Sequence, residues 1–168
     1  YITADAGRLG AFQTRGMFQK VSSKTLKTAI PSNFRSPYWF GIAKRARVIY
    51  YDPSRTNPPS NFAYEDLADP KYKGKVVIRK SNNVYNQSLV ASLIANNGKK
   101  KTAEWANGLV KNMARNPKGN DRTQILAVAA GEAELAVANT YYIGLMLSGK
   151  KGPEQQEAAK KVKAFFPN

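Results

Sequence analysis

Neither cysteine nor histidine occurs in the 168 residues. That double absence removes disulfide frameworks, Cys/His zinc sites, thiolate nucleophiles and every histidine-based catalytic triad. Acidic residues are few, 11 Asp and Glu in all, and no carboxylate pair or nucleophile with an adjacent base stands out, which argues against an enzyme. No apolar run approaches the roughly 20 residues a helix needs to cross a bilayer. The opening YITADAGRLG shows neither an initiator Met nor a signal-peptide pattern, so the chain reads as a processed or truncated product. Its length suits one domain with a sizeable core, or one lobe with part of another.

What is abundant is positive charge. Lys and Arg number 27, for a formal net charge of +16, and a balance this basic makes nucleic acid the first partner to consider. The distribution argues otherwise. Basic residues are scattered over helix faces and loops, as in residues 99 to 101, KNMARNPK at 111 to 118, and Lys160 with Lys161. No zinc finger, RNP-like strand or Arg-rich arm accompanies them. A solvated basic surface, suited to an anionic membrane or an acidic partner, is the plainer reading.

The pattern of the chain predicts alternating strands and helices. Residues 1 to 4 read as the end of a strand and 7 to 12 as a short helix, followed by an irregular stretch rich in Ser, Lys and Pro to about Pro37. WFGIA and RVIYY, with KRAR between them, read as one or two long strands. After the breaker DPSRTNPPSN come a short helix over 62 to 68, the turn DPKYKG and the strand VVIR at 76 to 79. Leu89, Val90, Leu93 and Ile94 fall at helical spacing, and Gly98 closes that helix. A second helix starts near Lys101 with Ala103, Ala106, Leu109, Val110 and Met113 as its apolar stripe and Trp105 beside it. A third runs from 121 to 130 and ends at Gly131, and ELAVAN reads as a short buried strand. Further helices to about Leu147 and over 153 to 161 lead to an extended VKAFF. This alternation means an α/β fold with a mainly parallel sheet.

Candidate functional residues follow from that reading. Open α/β sheets bind ligands beyond the carboxyl ends of their strands, where helix N-termini also point. Tyr141 and Tyr142 sit at the end of ELAVAN, and Tyr85 follows the polar turn after VVIR, so three phenols could meet on one rim. Phenolate is the chief metal ligand such a composition offers. A phenol with a pKa near 10 ionises at neutral pH only where a strongly charged cation displaces its proton, which favours Fe3+. Packing at a strand-helix junction would account for the same tyrosines. The second pair, Tyr50 and Tyr51, sits in a strand and reads as sheet packing, as do Tyr64 and Tyr72 beside a short helix and a turn. Asp5 and Arg8 could face a cleft, although a helix cap and a surface charge suffice for them.

TADAGRL, KRARVIYY, YEDLADPKYKGKV, SNNVYNQSLVASLIA, ILAVAAGEAELAVANTYY and FFPN together resemble the ferric-iron-binding periplasmic proteins of ABC importers, closest to the cyanobacterial type. The resemblance runs essentially end to end. It implies a type II periplasmic-binding-protein-like α/β fold, with two lobes joined by crossing strands and closing on Fe3+ without catalysis. It further implies that the chain is an internal fragment, since such proteins are longer on both sides. Residues 1–47 would be a remnant of the first lobe with an interlobe strand, 48–163 the second lobe, and 164–168 the start of the returning interlobe strand. Tyr85, Tyr141 and Tyr142 correspond to metal ligands of that family. A further ligand, a tyrosine or histidine, would come from the N-terminal part not present here. Arg45 matches the family's basic residue at the start of the interlobe strand and Arg47 is a second candidate counter-charge. Relatives often carry an Arg shortly after the tyrosine pair, where this chain has Gly144, Leu145 and Met146.

The expected partner is accordingly an ABC permease in the membrane and the expected location the periplasm. The protein would be a monomer when complete, with no nucleic acid bound and the missing segments possibly on another chain. The competing readings are a solute-binding protein for a small anion held by Arg45 and helix N-termini, and a charge-driven nucleic-acid-binding domain.

Overall fold

Four short runs dominated by Val, Ile, Ala and aromatic residues form the strands: β1 (Arg47–Tyr51), β2 (Val76–Ile78), β3 (Leu135–Asn139) and β4 (Lys163–Phe165). In the computed structural model, which describes residues 1–167, they pair as one sheet in the order β2-β3-β1-β4. Successive side chains of a strand point to opposite faces, so each run feeds two layers. Val48, Tyr50, Val77, Ala136 and Ala138 pack on one face with Ile125, Val128, Met146 and Ala159. Ile49, Val76, Ile78, Leu135 and Val137 pack on the other with Phe62, Leu67, Leu89, Leu93, Trp105 and Leu109. Because both faces are covered, the central strands are apolar apart from Arg47 and Asn139 at one end and do not alternate with polar residues.

The sheet is mixed, which corrects the expectation of a mainly parallel one. β2 and β3 are parallel, with Ile78 opposite Val137. β1 runs antiparallel to both neighbours, with Arg47 opposite Asn139 and Ile49 opposite Phe165. Strand direction depends on the path between strands and leaves no local trace in the residues. The register has a direct consequence, because it sets the start of β1 beside the end of β3.

The helices are α3 (Val84–Asn112), α4 (Asp121–Ala129), α5 (Thr140–Leu147) and α6 (Pro153–Lys161). α3 comprises two helical stretches joined at Gly98, whose φ of 80° and ψ of 162° suit glycine alone. Its second stretch turns Thr102, Trp105, Leu109 and Asn112 inward and leaves Val110 63% exposed, so Trp105 belongs to the core and Val110 does not. Trp105 can be buried because its indole Nε1 donates to the Tyr64 carbonyl at 2.7 Å. The region of 62 to 68 condenses into a 3-10 turn, Glu65–Ala68, with another at Pro70–Tyr72.

The chain divides into two compact units, one over Tyr1–Lys44 and the other from Arg45 onward. The first unit holds helices α1 (Ala6–Thr14) and α2 (Lys24–Ala29). Residues 1 to 4 are not a strand there. Neither is WFGIA, in which Phe40 makes a single bridge to Arg35. No residue of this unit is buried. Gln13 Oε1 ties it together by accepting from Ser36 Oγ at 3.0 Å and Trp39 Nε1 at 2.9 Å. The returning segment proposed over 164 to 168 begins inside β4, and its last residue, Asn168, lies outside the described residues.

Candidate metal centre

The apolar run of β3 ends at Asn139, and α5 starts on the next residue, so Tyr141 and Tyr142 occupy its first turn. On the neighbouring strand, β2 ends at Ile78 and a polar turn leads to Asn83, whose side-chain oxygen accepts from the Tyr85 backbone N–H at 3.0 Å and starts α3. Two strand-to-helix turns from adjacent parallel strands thus open on the same edge of the sheet. The Tyr141 hydroxyl donates to the Tyr85 hydroxyl at 3.1 Å, and the rings of Tyr141 and Tyr142 lie 4.3 Å apart, inclined at 31°. Tyr85 and Tyr142 are half-buried and Tyr141 is 39% exposed.

Arg45, just ahead of β1, joins them across the strand junction. Its guanidinium carbon lies 5.6 Å from the centre of the Tyr85 ring and 5.7 Å from that of Tyr141, within range for cation–π attraction. Arg79 lies 5.5 Å from the Tyr85 ring. Arg47 is engaged elsewhere. Its side chain is 9% exposed and pairs with the fully buried Asp121 at 3.0 Å. Burial lowers its pKa, an effect opposed by Asp121. Sequence reasoning singled out Arg45 and Arg47 but missed Arg79, Asp121, Asn86 and Asn139, the polar groups that line the base of this cluster.

Electrostatics explain why the Tyr141 phenol holds its proton without a cation. Partial burial first, then hydrogen bonding with Tyr142 and Tyr85, pushes the Tyr141 phenol well above its ordinary range, while Asn139 pulls weakly the other way. An ion of high charge would have to displace that proton. Among the described residues no group of three or more carboxylates could hold a metal instead. The other tyrosines behave as packing residues: Tyr50 is fully buried in β1, and Tyr72 packs edge-on against Phe62 at 5.6 Å. Tyr64 donates to the Arg47 carbonyl, and burial raises its phenol to about 12 despite nearby Arg47.

A cavity of about 420 Å³ flanks the cluster and shares Arg79 and Asn86 with it. Its remaining walls are mainly apolar, including Leu89, Val90, Trp105 and Leu109, with Ser81, Arg115 and Asn116 as further polar lining, and contain no tyrosine.

Comparison with known proteins places this geometry in context. The profile of the family described as bacterial extracellular solute-binding protein matches residues 3–167. Iron uptake protein A1 of Synechocystis is 50% identical over 99% of this chain, which spans 47% of that protein. The Trichodesmium protein IdiA (FutA), solved in complex with iron and citrate, is 52% identical with a TM-score of 0.92, over 98% of this chain and 52% of its own. The ferric binding protein of Campylobacter jejuni is 44% identical with a TM-score of 0.93, over 99% of this chain and 54% of its own. The chain therefore spans about half the length of the curated relatives it matches, and those relatives are named for iron uptake.

Proposed function

We propose that this chain, which belongs to the bacterial extracellular solute-binding protein family, supplies one wall of a cleft that captures Fe3+ on the phenolates of Tyr85, Tyr141 and Tyr142. The observation that carries this reading is the 3.1 Å approach of the Tyr85 and Tyr141 hydroxyls, with Tyr142 stacked beside them, at the ligand-binding edge of the sheet. Three phenolates balance the charge of Fe3+, and hard oxygen donors suit a hard trivalent ion. A further anionic ligand would leave an excess negative charge, costly in a closed cleft without a cation. Arg45 is disposed to offset it, since guanidinium stays protonated and already lies against two of the rings. In the lobe scheme that accompanies this reading, residues 1–47 belong to the first lobe and its crossing strand. Residues 48–163 form the second lobe and 164–168 begin the return. The complete protein would work in the periplasm, handing its iron to an ABC permease.

The test is colour. Titrating ferric nitrilotriacetate into the full-length protein should produce a visible phenolate-to-iron charge-transfer band, weakened by Tyr85→Phe and Tyr142→Phe and most by Tyr141→Phe. A colourless complex, or a band indifferent to all three changes, overturns the reading and returns the small-anion alternative. The pH dependence has a definite sign. The raised Tyr141 pKa means that ligation must expel a tightly held proton, so the band should be strongest at high pH and fade as pH falls. Arg45→Ala should move that fading to higher pH while leaving the fold intact.

A further inference from the structure

We infer that Arg47 and Asp121 form a buried yoke that sets the spacing of Tyr85 and Tyr141, and that Arg47 is thus a positioning residue and not a counter-charge to bound metal. The inference rests on the tyrosine reading above for its consequence, but its geometry stands without a metal. Arg47 Nη2 donates to Asn86 Oδ1 at 2.6 Å, and Asn86 is the residue after Tyr85. Arg47 Nη1 donates to Asn139 Oδ1 at 3.0 Å, and Asn139 lies two residues before Tyr141. One planar group therefore grips the root of both tyrosine turns.

Asp121 holds that group in place. Its Oδ2 accepts from Arg47 Nη1 at 3.0 Å and from the Asn139 backbone N–H at 2.8 Å, while Oδ1 accepts from Arg79 Nη1 at 3.3 Å. The carboxylate is fully buried and opens α4, so its position is fixed by a helix as well as by its donors. Asn86 completes the frame by donating to the carbonyls of Arg79 at 2.7 Å and Lys80 at 3.2 Å. Pairing of β2 with β3 brings the two turns to one edge but ends at Ile78 and Val137, so it does not by itself fix where Tyr85 stands relative to Tyr141. The Arg47 bridge does. Nη2 also donates to the Val137 carbonyl at 3.4 Å, so the terminal donors are occupied away from the tyrosines. Removing bulk water makes such an arrangement stiff, and the rigid fork of guanidinium gives it direction that an ammonium lacks.

The experiment compares Arg47→Lys, Asn86→Ala and Arg45→Ala in the full-length protein, using metal-free crystal structures and the Fe3+ spectrum. Arg47→Lys keeps the charge and loses the fork. Asn86→Ala keeps the Arg47–Asp121 pair and cuts only the tie to the Tyr85 side. In both we expect the Tyr85 and Tyr141 hydroxyls to move out of hydrogen-bond reach. The charge-transfer band should shift, and iron loss to EDTA should quicken by roughly 10–100-fold, as for other groups that orient metal ligands. Arg45→Ala should weaken iron retention without altering the metal-free spacing. If Arg47→Lys does not fold, Asn86→Ala decides alone. Unchanged spacing and an unchanged band in Asn86→Ala, or in a folded Arg47→Lys, overturn the yoke. Should the parent protein form no coloured complex, the iron reading fails, and the metal-free spacing still judges the yoke by itself.

Discussion

Residues 1–44 and those from Arg45 onward draw on similar apolar side chains with opposite results. The later region closes two apolar layers over a sheet, with Val48, Ile49, Tyr50, Phe62 and Leu67 fully buried. The earlier one carries Tyr1, Phe12, Phe18, Phe34 and Trp39, and none of them is buried. Its helices span 9 and 6 residues, too short to persist on propensity alone, and it has no paired strands to offer a flat surface for packing. What it has are hydrogen bonds and a ring cluster of Tyr1, Phe12 and Phe18, with centroids 4.8 to 6.4 Å apart. Hydrophobic residues make a core only where an element presents a complementary face.

Three substitutions in this 168-residue chain would test that contrast. Phe62→Ala removes a fully buried ring packed edge-on against Tyr72 and Phe165, and should cost about 3–5 kcal/mol in chemical denaturation. A loss comparable to that of a surface site would mean the layer relaxes far more than its packing indicates. Gly98→Ala separates backbone from packing, because an added Cβ there meets no atom within 4 Å. It should still cost about 1–3 kcal/mol, since φ of 80° with ψ of 162° lies where only glycine is comfortable. A neutral outcome would show that the two halves of α3 adjust freely at that joint. Phe12→Ala, in the unburied region, should cost less than about 1 kcal/mol. Amide exchange should correspondingly be fast over residues 1–44 and slow in β1 and β3; equal protection would erase the contrast.

Much of this architecture could be read from residue order, and the exceptions have physical reasons. The strands RVIYY, VVIR and ELAVAN, the helix after the SNN turn and the stop at Gly98 all rest on local chemistry. So does the position of Tyr85, Tyr141 and Tyr142 at strand ends. The direction of β1 was not readable, because it is decided by the long connections on either side. The sequence leaves Trp105 flanking, because a stripe of small apolar residues fits the helical period as well as the true buried face does. WFGIA has the composition of a strand, yet a strand needs a neighbour to pair with, and only Phe40 finds one. The Arg47–Asp121 pair joins residues 74 apart in sequence, and nothing local to either marks the other as its partner.

The opposed direction of β1 and β3 carries a consequence for which changes the chain can absorb. Arg47 faces Asn139 through strand register alone, so that single alignment brings Arg45 to tyrosines that lie far along the chain. Replacing a side chain there alters only the contacts of that residue. Inserting or deleting one residue between Arg45 and Val48 acts differently, because side chains alternate along a strand and a slip of one turns the whole row over. With Val48 to Tyr51 held in register by β3 and β4, the slip falls on the residues ahead of them, and Arg45 would turn away from the tyrosines. Around Arg45 the stretch ahead of β1 should therefore tolerate changes of residue better than changes of length.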